Sequence, residues 1–336
     1  MRFRLIATHF QGPLSFVRGQ VLGTYLVKRF FLMLLTLIGM SIIIFVLLRL
    51  MPGNIVDIMF DSAGFVDPAE KAEIEKELGL DRSIPVQYFD WIWGMMHWDL
   101  GFSYVSEMPA IEELGPRIPI TAKLAIMALG FSVLFGVPLG VISAVKQDTS
   151  LDYTLRVISL SGLSLPSFWL ALLILMFSVA VFNDIPIYTD PPENLMDELL
   201  LFLIPAAAVG FRSSALIMRL TRSSMLEVLR QDYIRTARAK GATENSVNYS
   251  HALKNAFLPV TTIIGIEAAF LIGGLIITET VFNIPGVAHF LVEAILMRDY
   301  PIVQSLVMLI ALIVVTVNFI VDLTYGALDP RIKYGT

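Results

Sequence analysis

The sequence contains no cysteine among its 336 residues. Disulfide bonds and cysteine-based metal sites are therefore excluded. Charge is also scarce, because 16% of the residues are charged, whereas an ordinary soluble domain carries about 25%. Hydrophobic residues make up 56% of the chain. This balance is typical of a protein embedded in a membrane.

Motifs for nucleotide binding and for catalysis are missing as well. A Walker A loop requires a Gly-Lys pair whose lysine holds the phosphates, and no Gly-Lys dipeptide occurs in the chain. The string "GLSLP" at 162–166 lacks the second glycine of a G-x-S-x-G elbow. The four histidines lie in separate segments without H-E-x-x-H spacing. We therefore expect a protein that is not itself an enzyme and that holds no cofactor or metal.

Six stretches are long and apolar enough to cross a membrane. A helix rises about 1.5 Å per residue and the hydrocarbon core is about 30 Å thick, so about 20 residues suffice. Four stretches carry no charge, one is interrupted only by Arg212, and one only by Glu267. The sequence therefore predicts an all-α membrane protein with six transmembrane helices. They cover 30–48, 124–145, 157–183, 199–218, 255–278 and 300–321.

Lysine and arginine are distributed unevenly between the two sides that these spans define. With the N-terminus inside, 17 of the 24 basic residues fall on the inner side and seven on the outer side. Six of those seven lie in 49–123, a segment longer than those to which the positive-inside rule applies. We therefore expect a multi-pass protein of the cell (inner) membrane with both termini in the cytoplasm.

The spans and this orientation predict how the chain is divided. We expect a cytoplasmic N-terminal segment at 1–27, a first transmembrane helix at 28–50 and an extracytoplasmic subdomain at 51–119. A core domain with five transmembrane helices then covers 120–325, and a cytoplasmic tail covers 326–336. Outside the spans, 67–80 begins like a helix, with an aspartate and a proline before acidic residues. Phe290, Leu291 and Ala294 predict a short interfacial helix before the last span.

A polar segment, "YIRTARAKGATENSV" at 233–247, lies between the fourth and fifth spans. Leu226, Leu229, Tyr233 and Ala237 recur at steps of three and four, which predicts one face of a single helix. Gly241 follows this pattern and suits a left-handed C-cap. A second short helical pattern follows, and Leu258-Pro259 then leads into span five. We expect a helix-turn-helix on the inner membrane surface, although a solvated loop that contacts anionic lipid would have the same composition.

Several of these strings resemble permease subunits of binding-protein-dependent ABC importers, in the dipeptide, oligopeptide and nickel branch. That family carries an E-A-A-x-x-x-G pattern in a cytoplasmic loop. Here Arg235, Thr236 and Ala237 occupy the first three positions and Gly241 the last, within "DYIRTARAKGA". "SLPSFWLALLIL", "ETVFNIPGVAHFLVEAILMRDYPIVQ" and "DLTYGALDPRIKY" extend the resemblance along the chain. His97 and Trp98 depart from the glycine that the family usually has before Asp-Leu-Gly.

The resemblance implies a type I ABC importer permease fold and a coupling loop at 221–258. In the family this loop docks into a cleft of an ATP-binding subunit. The implied partners are a second, related permease in a heterodimer, two ATP-binding subunits, an extracytoplasmic substrate-binding protein and the lipid bilayer, with no nucleic acid. The residues that match the coupling loop are Tyr233, Arg235, Thr236, Ala237, Arg238, Ala239, Lys240, Gly241, Ala242, Leu258 and Pro259.

The function implied is half of a translocation pathway for di- and oligopeptides, driven by ATP hydrolysis in separate subunits. Nickel and oligosaccharides are alternative cargoes within the same branch. A self-contained secondary transporter is a more distant alternative, which would predict inverted repeats that the sequence does not display. Glu267, in the middle of the fifth span, is either a pathway residue or a group that bonds two helices, because a lone charge in hydrocarbon is costly.

Overall fold

The computed structural model describes residues 12–50, 56, 68–77, 79–103, 105–182, 187–188, 192 and 194–328. The described part is almost entirely helical, with one two-stranded antiparallel ribbon in which Phe102 pairs with Pro109 and Ser103 with Met108. Its elements are α1 (Gly12–Leu50), α2 (Pro68–Glu77), α3 (Ile84–Met96), β1 (Phe102–Ser103), β2 (Met108–Pro109), α4 (Ala110–Val145), α5 (Ser150–Ser164), α6 (Ser167–Phe182), α7 (Leu195–Leu229), α8 (Asp232–Ala239), a π-helix (Ser246–Leu253), α9 (Lys254–Val281), α10 (Val287–Leu296) and α11 (Tyr300–Leu328).

Five long apolar helices in the described part have the length and composition to cross a membrane. A bent pair, Ser150–Ser164 with Ser167–Val181, supplies a sixth span if it is counted as one. The all-α, multi-span architecture is therefore confirmed. The five helices are Leu26–Leu50, Ala110–Val145, Leu195–Leu229, Ser246–Val281 and Tyr300–Leu323.

The third span differs from the expected continuous helix over 157–183. The chain breaks between α5 and α6, and the two helices meet at 113°. Leu165 has an extended backbone with φ −81° and ψ 134°, because the ring of Pro166 disfavours a helical conformation in the residue before it. The last predicted residue, Asn183, lies outside the described residues.

Helix α1 begins at Gly12, and the part of it that can cross a membrane, Leu26–Leu50, agrees closely with the first transmembrane helix expected at 28–50. Helix α4 begins at Ala110, so it runs across the expected domain boundary at 120. Pro116 and Pro119 lie inside α4, so they do not separate an outer segment from the span. Helix α2 confirms the helix expected within 67–80.

Helices α4 and α7 form the centre of the bundle through close backbone approach. A Cβ atom on Gly136 would lie 2.9 Å from the side chain of Ile217 and from the carbonyl oxygen of Ser214. On Gly140 it would lie 2.6 Å from Cβ of Thr221. Small residues at such contacts let membrane helices pack closely where no hydrophobic driving force holds them together.

The side chain of Glu279 connects three elements at the end of the bundle where α9 ends. Its buried carboxylate accepts hydrogen bonds from Oγ1 of Thr121 at 2.7 Å and from the backbone N–H of His289 at 2.9 Å. Oγ1 of Thr121 in turn accepts from the N–H of Val287 at 2.8 Å. These contacts satisfy N–H groups in the first turn of α10, which have no partner within the helix.

Helix α10 confirms the short helix expected around Phe290, Leu291 and Ala294, and all three side chains are buried. They pack in one hydrophobic cluster with residues of α11, among them Val303 and Leu306. Leu48 of α1 belongs to the same cluster, and Arg29 of α1 forms an ion pair with Asp322 of α11 at 2.9 Å.

Candidate functional site

The polar segment after the fourth span is two elements rather than one helix. Helix α7 ends at Leu229 and α8 begins at Asp232. Gln231, the N-cap, has an extended backbone with φ −73° and ψ 150°. The predicted face that joined Leu226 and Leu229 to Tyr233 and Ala237 is therefore wrong, because the chain turns between the two pairs. We refer to residues 232–253, α8 with the turn and the π-helix, as the polar hairpin.

The side chain of Ile234 anchors α8, the first arm of the polar hairpin, to the bundle. It is fully buried, with 0% exposure, and belongs to a hydrophobic cluster that gathers the ends of three long helices. Sequence reasoning missed Ile234 because the helix break conceals its spacing from the apolar residues of α7. The other buried members of this cluster are Val141, Ala144, Met225, Val247, Ala252 and Ala256.

Gly241 ends α8 as the sequence predicted, with a left-handed φ of +83°. Its N–H donates to the carbonyl of Arg238 at 2.9 Å, and the N–H of Ala242 donates to the carbonyl of Ala237 at 3.2 Å. This pair of bonds is a Schellman motif, which satisfies the last carbonyls of a helix. A Cβ at Gly241 would meet nothing within 4 Å, so the constraint on this position is the backbone angle and not the space.

Basic side chains cover the outer surface of α8. Arg235 is exposed and lies 3.5 Å from Asp232, which is also exposed. Arg238 donates two hydrogen bonds to Glu244, from Nε at 2.9 Å and from Nη2 at 3.2 Å. The hydrogen bonds from Arg238 lower the pKa of the Glu244 carboxyl, so they favour its ionised form. Thr236, Ala239 and Lys240 are exposed as well.

The second arm of the polar hairpin differs from the expected short helix. Residues Ser246–Leu253 form a π-helix that continues without a break into α9, so Leu258 and Pro259 lie inside a long helix and do not mark its start. The two arms are connected by Nδ2 of Asn255, which donates to the hydroxyl of Tyr233 at 2.8 Å. The structure thus brings the predicted residues from Tyr233 to Ala242 together, whereas Leu258 and Pro259 lie beyond the polar hairpin.

Glu267 lies in α9 and is buried, with 3% exposure. Its Oε2 accepts a hydrogen bond from Oγ of Ser213 on α7 at 2.5 Å. The side chain therefore connects two spans in the interior of the bundle. Of the two roles that the sequence allowed for Glu267, a pathway residue or a group that bonds two helices, this contact fits the second.

The fold and this site together define a multi-pass membrane protein that presents a rigidly anchored polar hairpin at one end of its bundle. The chain belongs to the family described as binding-protein-dependent transport system inner membrane component, whose model matches residues 136–334. A second model, for the N-terminal part of such membrane components, matches residues 22–125. The chain is therefore an inner-membrane transport subunit, which works with ATP-binding subunits and a substrate-binding protein.

Curated relatives match over nearly the full length. The chain is 38% identical to the dipeptide transport system permease protein DppB of Escherichia coli (strain K12), over 92% of this chain and 98% of that protein. It is 37% identical to the di/tripeptide transport system permease protein DppB of Pseudomonas aeruginosa (strain UCBPP-PA14), over 93% of this chain and 99% of that protein.

Among solved structures, a chain of the MetNI methionine ABC transporter in an inward-facing conformation has the same fold. It superposes with a TM-score of 0.55 and 17% identity, over 65% of this chain and 97% of that chain. This likeness confirms the permease fold that the sequence predicted.

Proposed function

We propose that the chain is the permease subunit of an ABC importer and forms half of the translocation pathway for di- and oligopeptides. The printed functions of the relatives, dipeptide and di/tripeptide transport, support peptides as the cargo. ATP is hydrolysed in two separate subunits, and a second, related permease completes the pathway as a heterodimer. An extracytoplasmic binding protein delivers the peptide.

The observation that carries this proposal is the combination of a fully buried anchor and an exposed cationic surface on α8. Ile234 ties α8 to the ends of α4, α7 and α9, while Arg235 and Arg238 face outward. A short helix with such a surface suits a helix-in-groove contact. Because the anchor is rigid, a displacement of α8 by a docked ATP-binding subunit is transmitted to the spans.

We assign the docking contact to the residues that match the family's coupling loop within the polar hairpin. The side chains exposed there form the contact surface, and Gly241 sets the angle between the two arms. Leu258 and Pro259 lie inside α9, the helix through which the second arm of the polar hairpin continues into the fifth span. The proposed docking residues are Tyr233, Arg235, Thr236, Ala237, Arg238, Ala239, Lys240, Gly241 and Ala242.

We place both termini, the tail 326–336 and the polar hairpin in the cytoplasm. The excess of lysine and arginine on that side, 16 of the 23 that remain when Arg212 is assigned to the fourth span, supports this orientation. Residues 51–119 then lie outside, with α10 on the face that receives the binding protein. Glu267 lies beside the pathway, where its bond to Ser213 holds α9 against α7.

Uptake by reconstituted vesicles tests the proposal. Vesicles that contain this chain with its second permease, the ATP-binding subunits and the binding protein should accumulate a labelled dipeptide only when ATP is supplied on the cytoplasmic side. The same vesicles should accumulate neither nickel nor a labelled oligosaccharide. Dipeptide uptake without ATP, or ATP-driven uptake of nickel or oligosaccharide in its place, would overturn the proposal.

A further inference from the structure

Three arginines lie on one line along α7. Arg212, Arg219 and Arg230 are separated by 7 and 11 residues, which at 3.6 residues per turn places them within about 20° of each other around the helix. All three are exposed, whereas their neighbours Ser213 and Met218 are buried. We refer to the three as the arginine stripe. From Arg212 to Arg230 it follows a face of α7 that this chain leaves uncovered, whereas one to two turns earlier the same face is buried at Pro205 and Ala208.

The upper part of this stripe lies within the membrane. The apolar run of α7 covers 199–218, whose length of about 30 Å matches the hydrocarbon core. Arg212 is six residues from the end of this run, which puts its Cα about 9 Å inside the apolar layer. Arg219 lies at the edge of the layer, and Arg230 caps the helix beside the polar hairpin.

Neither Arg212 nor Arg219 pairs with a carboxylate among the described residues. Arg222, on a different face of α7, shows how this bundle satisfies a guanidinium, since it pairs with the buried carboxylate of Asp152 at 2.7 Å. An unpaired guanidinium at this depth faces a water-filled path, a partner or the headgroup region that its long side chain can reach. The uncovered part of α7, from Arg212 to Arg230, is therefore a polar surface of the assembled transporter.

We propose that Arg212 and Arg219 bind the C-terminal carboxylate of the peptide during its passage, an inference that rests on the proposed function. A guanidinium offers two parallel N–H donors that fit a carboxylate, and every unmodified di- or oligopeptide carries one at its C-terminus. A fixed ion pair with another subunit would need a single arginine at one height along the helix axis. The stripe instead repeats the guanidinium along that axis, which is the direction of transport. Arg212 and Arg219 lie about 10 Å apart along it.

The experiment compares the assembled transporter with the Arg212→Gln/Arg219→Gln double variant in vesicles. Two labelled substrates are used, a dipeptide with a free C-terminus and the same dipeptide with a C-terminal amide, and uptake is expressed per ATP hydrolysed. The matched control is Arg156→Gln, which removes an exposed arginine of α5 that lies 5.4 Å from the ring of Tyr153 and away from the stripe. The binding protein is the same throughout, so its own preference cancels when variants are compared.

We expect the double variant to lower uptake of the free-acid dipeptide about tenfold, the range of one charge-assisted hydrogen bond. Uptake of the amide should change little, so that the ratio of acid to amide falls. Arg212→Lys/Arg219→Lys should retain part of the preference for the acid, since charge remains but the paired donors are lost. Arg156→Gln should transport both substrates as the wild type does.

Three results would overturn the inference. The first is an unchanged acid-to-amide ratio in the double variant. The second is loss of the second permease on purification, which would show that the stripe pairs with another subunit. The third is a defect that disappears in vesicles without anionic lipid, which would assign the stripe to lipid phosphate. Failure of the wild type to accumulate the dipeptide with ATP would instead count against the proposed function itself.

Discussion

Arg222 of α7 donates two hydrogen bonds to the fully buried carboxylate of Asp152 on α5, from Nε at 2.8 Å and from Nη2 at 2.7 Å. The N–H of Asp148 also donates to this carboxylate at 3.1 Å, as does the hydroxyl of Ser143. The pair thus fastens the turn between α4 and α5 to α7, two turns before α7 ends at the polar hairpin. These contacts hold α5 and α7 together close to the end of the bundle that carries the polar hairpin.

Arg222→Ala should destabilise the protein strongly, because it leaves the Asp152 carboxylate buried and unpaired. The expected loss is about 3–5 kcal/mol, the usual cost of breaking a buried pair. Thermal unfolding in detergent measures it, with Arg156→Ala, at an exposed site of α5, as the control. Equal unfolding temperatures for the two variants would show that the pair contributes nothing.

Ile234→Ala should release α8 from the bundle without unfolding the spans. Removing a fully buried isoleucine side chain costs about 2–5 kcal/mol, whereas Ile234→Val costs about 0.5–1.5 kcal/mol. Limited proteolysis should therefore cut the alanine variant within 232–253 much faster than the valine variant. Equal cleavage rates would contradict the anchoring role of Ile234.

Gly241→Val should uncouple ATP hydrolysis from uptake. The native φ of +83° lies where a non-glycine residue pays about 1–2 kcal/mol, and a β-branched residue adopts it least readily. Gly241→Asn is the matched control, because asparagine tolerates this region. Peptide taken up per ATP hydrolysed should fall for the valine variant and stay close to the wild type for the asparagine variant. Normal uptake by the Gly241→Val variant would argue against a strict requirement for a left-handed backbone at this turn.

Reversal of charge at Arg235 and Arg238 should weaken retention of the ATP-binding subunits on purification, with no loss of membrane insertion. Because Arg238 also pairs with Glu244, the swap Arg238→Glu/Glu244→Arg keeps an ion pair within the chain while it moves the positive charge. If docking is the role of Arg238, the swap stays defective. Full retention of the subunits by the swap would assign Arg238 to the internal pair alone.

Gly286→Ala should destabilise the end of the bundle that α10 closes. The new methyl group would lie 2.3 Å from Oε1 of Glu279, and such overpacking costs about 1–3 kcal/mol. Gly273→Ala in α9 is the matched control, because a Cβ there meets nothing within 4 Å and alanine favours a helix. The two variants should shift the unfolding temperature in opposite directions. A Gly286→Ala protein as stable as the wild type would mean that the Glu279 carboxylate can move aside freely.

The features that the sequence predicted correctly are local ones. Apolar length alone identifies the spans, and Gly241 after a periodic segment identifies a left-handed C-cap. Helix α10 likewise follows from the spacing of Phe290 and Ala294. Each of these depends on one continuous stretch of the sequence, so no knowledge of the tertiary structure is needed.

The features that it missed depend on contacts between distant residues. The spacing from Leu226 to Tyr233 suits one helix, and only the burial of Ile234 against Val141 and Val247 explains why the chain turns at Gln231. The ion pair between Asp152 and Arg222 joins positions 70 residues apart, which periodicity does not reveal. Pro166 explains locally why the helix breaks after Ser164, but the sequence does not give the 113° angle between α5 and α6.

The central claim is that an ATP-binding subunit docks on the polar hairpin. Site-specific cross-linking tests this claim most directly. Since the chain has no cysteine, Thr236→Cys introduces a single thiol on the exposed surface of α8, and Met297→Cys introduces one beyond α10 at the opposite end. With a thiol-to-amine reagent on the assembled transporter, we predict that Thr236→Cys links to an ATP-binding subunit, with a yield that changes when ATP is added, and that Met297→Cys does not. Absence of this link at Thr236, or an equal link at Met297, would contradict the account.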